Sequence, residues 1–358
     1  MKADNHLFST ILLDWFERCG RDLPWRHSRD PYRIWLSEII LQQTRVEQGR
    51  DYWLRFIEKW PTVDALAAAS EDEVLRMWQG LGYYSRARNL HAAARQVVAD
   101  GGFPQTVEGL CRLRGVGAYT AAAIASFAFD VPAAVVDGNV YRVLSRYWGI
   151  DTPIDSTEGH RLFASLAQEL LPPNRAADYN QAIMDFGATQ CTPANPACLT
   201  CPFVESCVAR AQGITALLPV KAGHTKVQER RLAYVYLQCG GEVAIRRRGK
   251  GDFWQGLWEP YLMGTGEASV GGNMLVDGNG KLSVGSGEKL ILLARDVKHI
   301  LSHRRLLCDF YFLEVAQKPT LPDGYIWVRE QDLDNYAKPR LVEILLELVG
   351  EYLARNIN

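Results

Sequence analysis

Four of the chain's eight cysteines fall within seventeen residues, spaced Cys191-x6-Cys198-x2-Cys201-x5-Cys207. No other feature limits so sharply what the chain can fold into. If the four thiolates serve one centre, the loop carrying them must wrap around it. Four thiolates satisfy either a tetrahedral zinc ion or the four irons of a cubane cluster. Structural zinc usually takes two close C-x2-C pairs, whereas here one close pair is flanked by two outlying ligands. The intervening prolines, in TPANPA and PFVES, stiffen such a wrap. The spacing favours a group larger than one ion, a [4Fe-4S] cluster, with zinc as the alternative. Disulfide scaffolds belong to short secreted chains that are rich in cysteine throughout. A loop held this way can serve a positional role, presenting Lys or Arg to phosphate.

The chain's 358 residues suggest two or three domains, and 47% apolar with 23% charged residues is globular composition. No apolar run approaches the roughly 20 residues that cross a bilayer. The start places Asp4 and Asp14 around a short apolar stretch without a small-residue cleavage site, so an intracellular soluble protein is expected. With 40 basic and 41 acidic residues, a chain that binds a polyanion must gather its cations locally.

From residue 7 to about 212, apolar residues recur at helical spacing, as in 6–19, 34–44, 72–81 and 85–100. Ser70-Glu71-Asp72-Glu73 has the form of a helix-starting capping box. Residues 213–229 read as a linker. Beyond them 231–239 and 242–248 form a strand–turn–strand around Gly240-Gly241. Further strands are expected at 306–316 and 325–330, a closing helix at 339–355, and loop with short hairpins in the glycine-rich stretch 264–288.

In VEGLCRLRGVGAYTAAAI, a helix ending near Leu113 turns through Gly115-Val116-Gly117 into one starting at about Ala118. Two glycines around one apolar residue let a phosphate approach the backbone, with the free N–H groups of the next helix aimed at it. Asp137 follows in AAVVDGNVYRVLSR, where a helix N-cap and an active-site carboxylate are both open readings.

Taken in order, LPWR (23–26), WLSEIILQQTRV (35–46), GLGYYSRARNL (80–90), LRGVGAYTAAAI (113–124), VVDGNVYRVLSR (135–146) and the cysteine loop resemble the helix–hairpin–helix DNA glycosylases. More narrowly, the chain resembles the A/G-specific adenine DNA glycosylases of the MutY type, with a C-terminal portion similar in layout to a Nudix-like domain. The resemblance implies a multidomain protein, with an all-α helix–hairpin–helix glycosylase domain and iron–sulfur loop followed by an α+β Nudix-like domain. It implies a helical catalytic domain at 1–212, a linker at 213–229 and a lesion-recognition domain at 230–358. Within the first, a six-helix module spans about 28–137 and a cluster module joins 1–27 to 138–212. It further implies a cytoplasmic, nucleoid-associated bacterial monomer acting on double-stranded DNA that carries A:8-oxoguanine or A:G mispairs, with no membrane partner.

The resemblance also implies roles for particular residues. Glu38 matches the general acid, Asp137 the carboxylate that faces the sugar cation, and Asn139 and Tyr119 the residues supporting it. Trp25 and Arg26 match the adenine pocket, while Gln43, Leu81 and Tyr83 match residues that probe or wedge the duplex. Ser302 and His303 match the loop reading 8-oxoguanine, although Leu301 stands where the family has an aromatic. Cys191, Cys198, Cys201 and Cys207 match the cluster ligands.

The chemistry suits these residue types. Breaking an N-glycosidic bond puts positive charge on the sugar and negative charge on the leaving base, which calls for one protonated and one ionised carboxyl. Glu38 lies among Trp35, Leu36, Ile39 and Ile40, so desolvation should raise its pKa. Asp137, at a helix start, should stay ionised. The resemblance implies that relatives which also cut the strand carry a Lys at the position of Tyr119, which attacks the sugar as an amine; Tyr119 cannot, so a monofunctional N-glycosyl hydrolase leaving an abasic site is expected. Two other readings remain: an endonuclease III-like lyase, disfavoured by Tyr119, and a non-catalytic lesion binder. The stretch after Glu259 offers only Glu267 where a Nudix hydrolase needs a Glu-rich metal helix, so pyrophosphatase activity is not expected. Arg246, Arg247, Arg248 and Lys250 read as a solvated strand end more readily than as a phosphate track. Arg304 and Arg305 are better placed for the lesion strand.

Overall fold

The computed structural model describes residues 2–223, 227–263, 289–301 and 304–356. The glycine-rich stretch 264–288, with Glu267, and the pair Ser302 and His303 lie outside the described residues. The chain divides into two compact units. Met1–Ala68 with Asn89–His224 forms the first, and Ala69–Arg88 with Thr225–Asn358 the second.

In chain order the helices are α1 (Lys2–Cys19), α2 (Pro31–Leu41), α3 (Val46–Lys59), α4 (Val63–Ala68), α5 (Glu71–Met77), α6 (Ser85–Ala99), α7 (Val107–Leu110), α8 (Ala118–Phe129), α9 (Gly138–Trp148), α10 (Thr157–Leu170), α11 (Ala176–Thr189), α12 (Val208–Ala211) and α13 (Arg340–Asn356). Their starts follow from side chains that satisfy otherwise orphaned N–H groups. Asp30 accepts the Tyr32 amide at 2.9 Å with Pro31 in the first turn, and Ser156 accepts the Gly159 amide at 2.9 Å. The box at α5 is complete, with Glu73 N–H donating to the Ser70 hydroxyl at 3.2 Å and Ser70 N–H to the Glu73 carboxylate at 3.0 Å. α7 ends at Leu110, three residues before the expected Leu113, because the chain there is already turning towards the hairpin.

One core in the first unit joins the N-terminal helix to segments far along the chain. Phe8, Leu12 and Trp15 of α1 pack with Val140, Val143 and Leu144 of α9, Phe163 of α10, and Tyr179, Ile183 and Phe186 of α11. Phe203, between two of the clustered cysteines, stacks on Phe8 with centroids 4.7 Å apart. Burying such a ring contributes about 1.5–3 kcal/mol, so the cysteine loop is pinned to the core by its own side chain.

The second unit is built on a mixed six-stranded sheet of β1 (Gln228–Cys239), β2 (Glu242–Arg247), β3 (Trp258–Met263), β4 (Ile291–Leu301), β5 (Arg304–Glu314) and β6 (Tyr325–Arg329), ordered β4-β5-β1-β3-β2-β6. Among the described residues, β1 and β5 are the one parallel pair. Gly240 and Gly241, at φ +58 and +78, make the β1–β2 turn. Strands β3 and β4 escape the sequence reading for physical reasons. β3 carries Pro260, which ordinarily argues against a central strand. In β4 register shifts near Ala294 and Val297, with Asp296 at φ +53, destroy the period of two.

Of the basic run at the end of β2, Arg247 and Lys250 are exposed as expected, but Arg246 and Arg248 turn inward to carboxylates. Arg246 pairs with Glu259 at 2.9 Å, Arg247 with Glu71 at 3.0 Å, and Arg248 with both Glu259 and Asp252. Glu259 is buried, and an unpaired carboxylate there would be costly, so Arg246 and Arg248 are consumed internally.

Candidate active site

Helix α2 carries Glu38 among buried Trp35, Leu36, Ile39 and Ile40. The residue as a whole is half-buried, and it lines a cavity of about 590 Å³. Asp137, at the start of α9, lines the same cavity. That volume is in the range of small-ligand sites.

The surroundings of the two carboxyls differ. The Tyr119 hydroxyl, from the first turn of α8, donates to Glu38 Oε2 at 3.2 Å and lies 3.5 Å from the Met184 sulfur. Burial pushes Glu38 up to about 7; the Tyr119 hydrogen bond and Arg26 oppose this, and the charge of Asp137 adds to it. Burial also pushes Tyr119 well above the ordinary phenol range, so its hydroxyl stays a donor. Asp137 Oδ1 accepts the backbone N–H groups of Asn139 and Val140, each at 2.8 Å, and Oδ2 accepts Asn139 Nδ2 at 2.8 Å. Asp137 therefore caps α9 and faces the cavity at once. Expected simply to stay ionised, it is in fact raised above the ordinary carboxylate value by burial, with these hydrogen bonds and Arg142 holding it back. The arrangement sets a carboxyl that holds its proton near neutrality beside one supplied with donors for its anion.

Asp185 on α11 is a wall residue that sequence reasoning missed. Fully buried, it accepts from Arg26 Nη1 and Nη2 at 2.8 Å each, from the Arg21 amide at 2.9 Å and from Arg21 Nε at 2.9 Å. Burial alone would push its carboxyl up, but the arginine hydrogen bonds outweigh it and hold the group below its ordinary value. The available signal was a lone carboxylate within the apolar segment AIMDFG, the same signal that marked Glu38. Arg21, Gln42, Gln181 and Met184 also line the cavity and were not anticipated.

Of the residues implied by resemblance, Trp25, Arg26, Glu38, Gln43, Tyr119, Asp137 and Asn139 all line this cavity. Gly115, Val116 and Gly117 form the turn before α8. Gly115 has φ +77 and a Cβ there would lie 2.6 Å from Asn89 Cβ; Val116 is buried inside the turn, and open space faces Gly117. No side chain caps the start of α8, which leaves its first N–H groups available to an anion. Leu81 and Tyr83 belong to the second unit, Leu81 buried and Tyr83 45% exposed. Gln43 and Tyr83 both hold left-handed backbone, at φ +56 and +46, which is strained for side chains of their size. Ser302 and His303 are outside the described residues.

The four clustered cysteines line a second, apolar depression together with Phe8, Val143 and Phe186. Among the described residues no three His, Cys, Asp or Glu side chains are grouped tightly enough for a single metal ion. Burial pushes Cys201 up to about 11, with the other three sulfurs adding to the rise. Helix α9 links this loop to the cavity: Arg142 donates to Asn139 Oδ1 at 2.7 Å and to the Cys191 carbonyl at 2.8 Å, and Arg146 donates to the Thr192 carbonyl at 2.7 Å.

No helix among the described residues is long and apolar enough to cross a membrane. Residues 36–170 match the HhH-GPD superfamily of base excision DNA repair proteins and residues 233–348 the NUDIX domain. Over 232 residues the chain is 47% identical to the adenine DNA glycosylase of Rattus norvegicus, covering 61% of this chain and 45% of that protein. It is 37% identical over 256 residues to the adenine DNA glycosylase of Buchnera aphidicola subsp. Baizongia pistaciae (strain Bp), covering 70% of this chain and 72% of the relative. It therefore spans less than half the length of the mammalian relatives it matches. A solved thermostable thymine-DNA glycosylase superposes with TM-score 0.55 at 32% identity, covering 58% of this chain and 97% of that one.

Proposed function

The chain belongs to the adenine DNA glycosylase family, and from that membership we propose that it hydrolyses the N-glycosidic bond of adenine mispaired with 8-oxoguanine or guanine in duplex DNA. The observation that carries this reading is the cavity shared by Glu38 and Asp137, with Glu38 pushed up to about 7. The adenine nucleoside leaves the stack and enters the cavity. Glu38 gives its proton to a ring nitrogen of the purine, and the bonding pair of the glycosidic bond departs with the base. Asp137 faces the resulting sugar cation, and Glu38, now a carboxylate, takes a proton from the attacking water. Asn139 steadies Asp137 and Tyr119 steadies Glu38.

Trp25 and Arg26, the latter fixed by Asp185, form the wall of the base pocket. Gln43, Leu81 and Tyr83 occupy the gap in the duplex, in keeping with the strained backbone at two of them. The Gly115–Gly117 turn takes a phosphate, and Ser302 and His303 read the 8-oxoguanine. Release of adenine from A:8-oxoguanine and A:G duplexes tests the reading directly; duplex binding without any release would leave only a lesion binder.

Tyr119 supplies no amine, so the product is an intact strand with an abasic site. Product duplex analysed without heat or alkali should be unbroken while adenine is released, and nicking at the rate of release would instead mean a lyase.

Cys191, Cys198, Cys201 and Cys207 would hold a [4Fe-4S] cluster, a reading supported by their spacing and by the one depression that all four line. Such a cluster would take the four cysteines as thiolates, against the burial that keeps the Cys201 thiol protonated, and would so fix the loop. Iron and acid-labile sulfide in equal amounts in the purified protein are expected; zinc without sulfide would overturn the assignment. We further take the protein to act as a monomer on DNA in the cytoplasm.

A further inference from the structure

The basic run at 246–248 is consumed by Glu71, Asp252 and Glu259, so unspent cations of the second unit must be sought elsewhere. Two of them, Arg230 and Arg304, meet at Phe253, in the turn before β3, beside the paired Arg248. The guanidinium carbons of Arg304, Arg248 and Arg230 lie 5.1, 5.2 and 5.5 Å from its ring centroid. Each distance is within cation–π range. Arg248 is neutralised by Asp252 and Glu259. Arg230, whose charge reaches the Asp252 carboxylate without an ion-pair contact, and Arg304 form no ion pair among the described residues, whereas their strand neighbours do: Arg231 pairs with Asp296 at 2.8 Å and Arg305 with Glu229 at 3.8 Å.

This convergence is built by the sheet. In the parallel β1–β5 ladder Gln228 faces Arg304 and Arg230 faces Leu306. Side chains two apart share a face, so Arg230 and Arg304 extend from the face that buries Leu232 and Leu306. Buried Trp254 backs Phe253, with ring centroids 4.7 Å apart. Two like charges directed at one ring repel each other, and the ring offsets only part of that. An anion placed between them would remove the conflict. Phe253, Arg230 and Arg304 are all half-buried, so the site is open on one side, as contact with an extended polyanion requires.

The geometry points to Arg230 and Arg304, oriented by Phe253, as a site for the backbone phosphates of duplex DNA. It rests on the reading of the protein as a DNA-repair enzyme, and it gives the sheet unit its own contact with the duplex, independent of base identity. Guanidinium groups suit this task because their fixed fork of donors matches phosphate oxygens.

Each phosphate neutralised contributes about −0.9 to the slope of log affinity against log salt. Anisotropy titrations of the full chain with labelled duplex, over a series of salt concentrations, read that slope. Arg304→Gln should flatten it by about 0.9 and Arg230→Gln with Arg304→Gln by about 1.8, equally for mispaired and fully paired duplex. Replacing both by Lys keeps the charge and should keep most of the slope. Arg231→Gln removes the same charge from the adjacent, carboxylate-paired residue of β1 and should leave the slope within about 0.3 of wild type. A double Gln variant with the wild-type slope overturns the proposal, and so does an equal change in Arg231→Gln, which would reduce the effect to net charge. Binding is read without reference to chemistry, so the two readings can fail separately. A flattened slope in a protein that releases no adenine would retire the glycosylase and leave the phosphate site standing.

Discussion

Glu38→Gln should reduce adenine release by at least about 10²- to 10⁴-fold while the protein remains folded and binds duplex. Gln matches Glu in shape and can still accept from the Tyr119 hydroxyl, but it has no proton to give. The carboxyl it replaces is already neutral over much of the working range, because burial pushes it up to about 7. The substitution therefore removes little charge from the cavity, and the melting temperature should hold or rise slightly. The same shift fixes the sign of the pH dependence. A general acid works in its protonated form, and that fraction falls as pH rises through about 7, so the rate should show a limb declining on the alkaline side with its midpoint near there. Near-normal turnover by the Glu38→Gln enzyme, or a wild-type rate that keeps climbing well above that midpoint, would remove Glu38 from the proton-donor role.

Asp137→Asn is the second large effect, and it separates two jobs done by one side chain. As a cap, Asn is about as good as Asp, since its amide oxygen can accept the same Asn139 and Val140 N–H groups. The difficulty lies at Oδ2, where the new NH₂ would meet the Asn139 NH₂, whose own oxygen is held by Arg142. A stability loss of about 1–3 kcal/mol is expected from that mismatch, well short of unfolding. Activity should fall far further, by about 10²-fold or more, because the sugar cation would face a neutral group. Thermal unfolding beside single-turnover adenine release reads both. If the rate dropped only in proportion to the folded fraction, Asp137 would be a cap and nothing else.

The parts of the fold legible in the sequence are those governed by short-range rules. Helical spacing marked α2 and α6, the Ser70–Glu73 box marked the start of α5, and Gly240-Gly241 marked the β1–β2 turn. What was illegible depends on partners distant in the chain. Pro260 hides β3 because its strand character comes from β1 and β2 on either side. Asp185 looks like an isolated carboxylate until Arg21 and Arg26, more than 150 positions away, are folded against it. The arginine run at 246–248 looked solvated for the same reason, since Glu71 and Glu259 are not its neighbours in sequence. Glu38 and Asp137 were singled out by the resemblance; the apolar surroundings of Glu38 agree with its role, while an Asp at a helix start is by itself an ordinary cap.

The grouping of Ala69–Arg88 with the sheet has a practical consequence for anyone trimming this protein. A shortened version ending in the linker would look like a clean cut on paper. It would nevertheless strip the segment 71–88 of Arg247, Gln255, Glu343 and Lys338, which bond to Glu71, Arg88, Gln79 and Tyr84. Any deficit in such a fragment would then mix the missing tail with a collapsed loop upstream. Point changes in the tail, leaving its scaffold intact, are the sounder way to ask what it contributes.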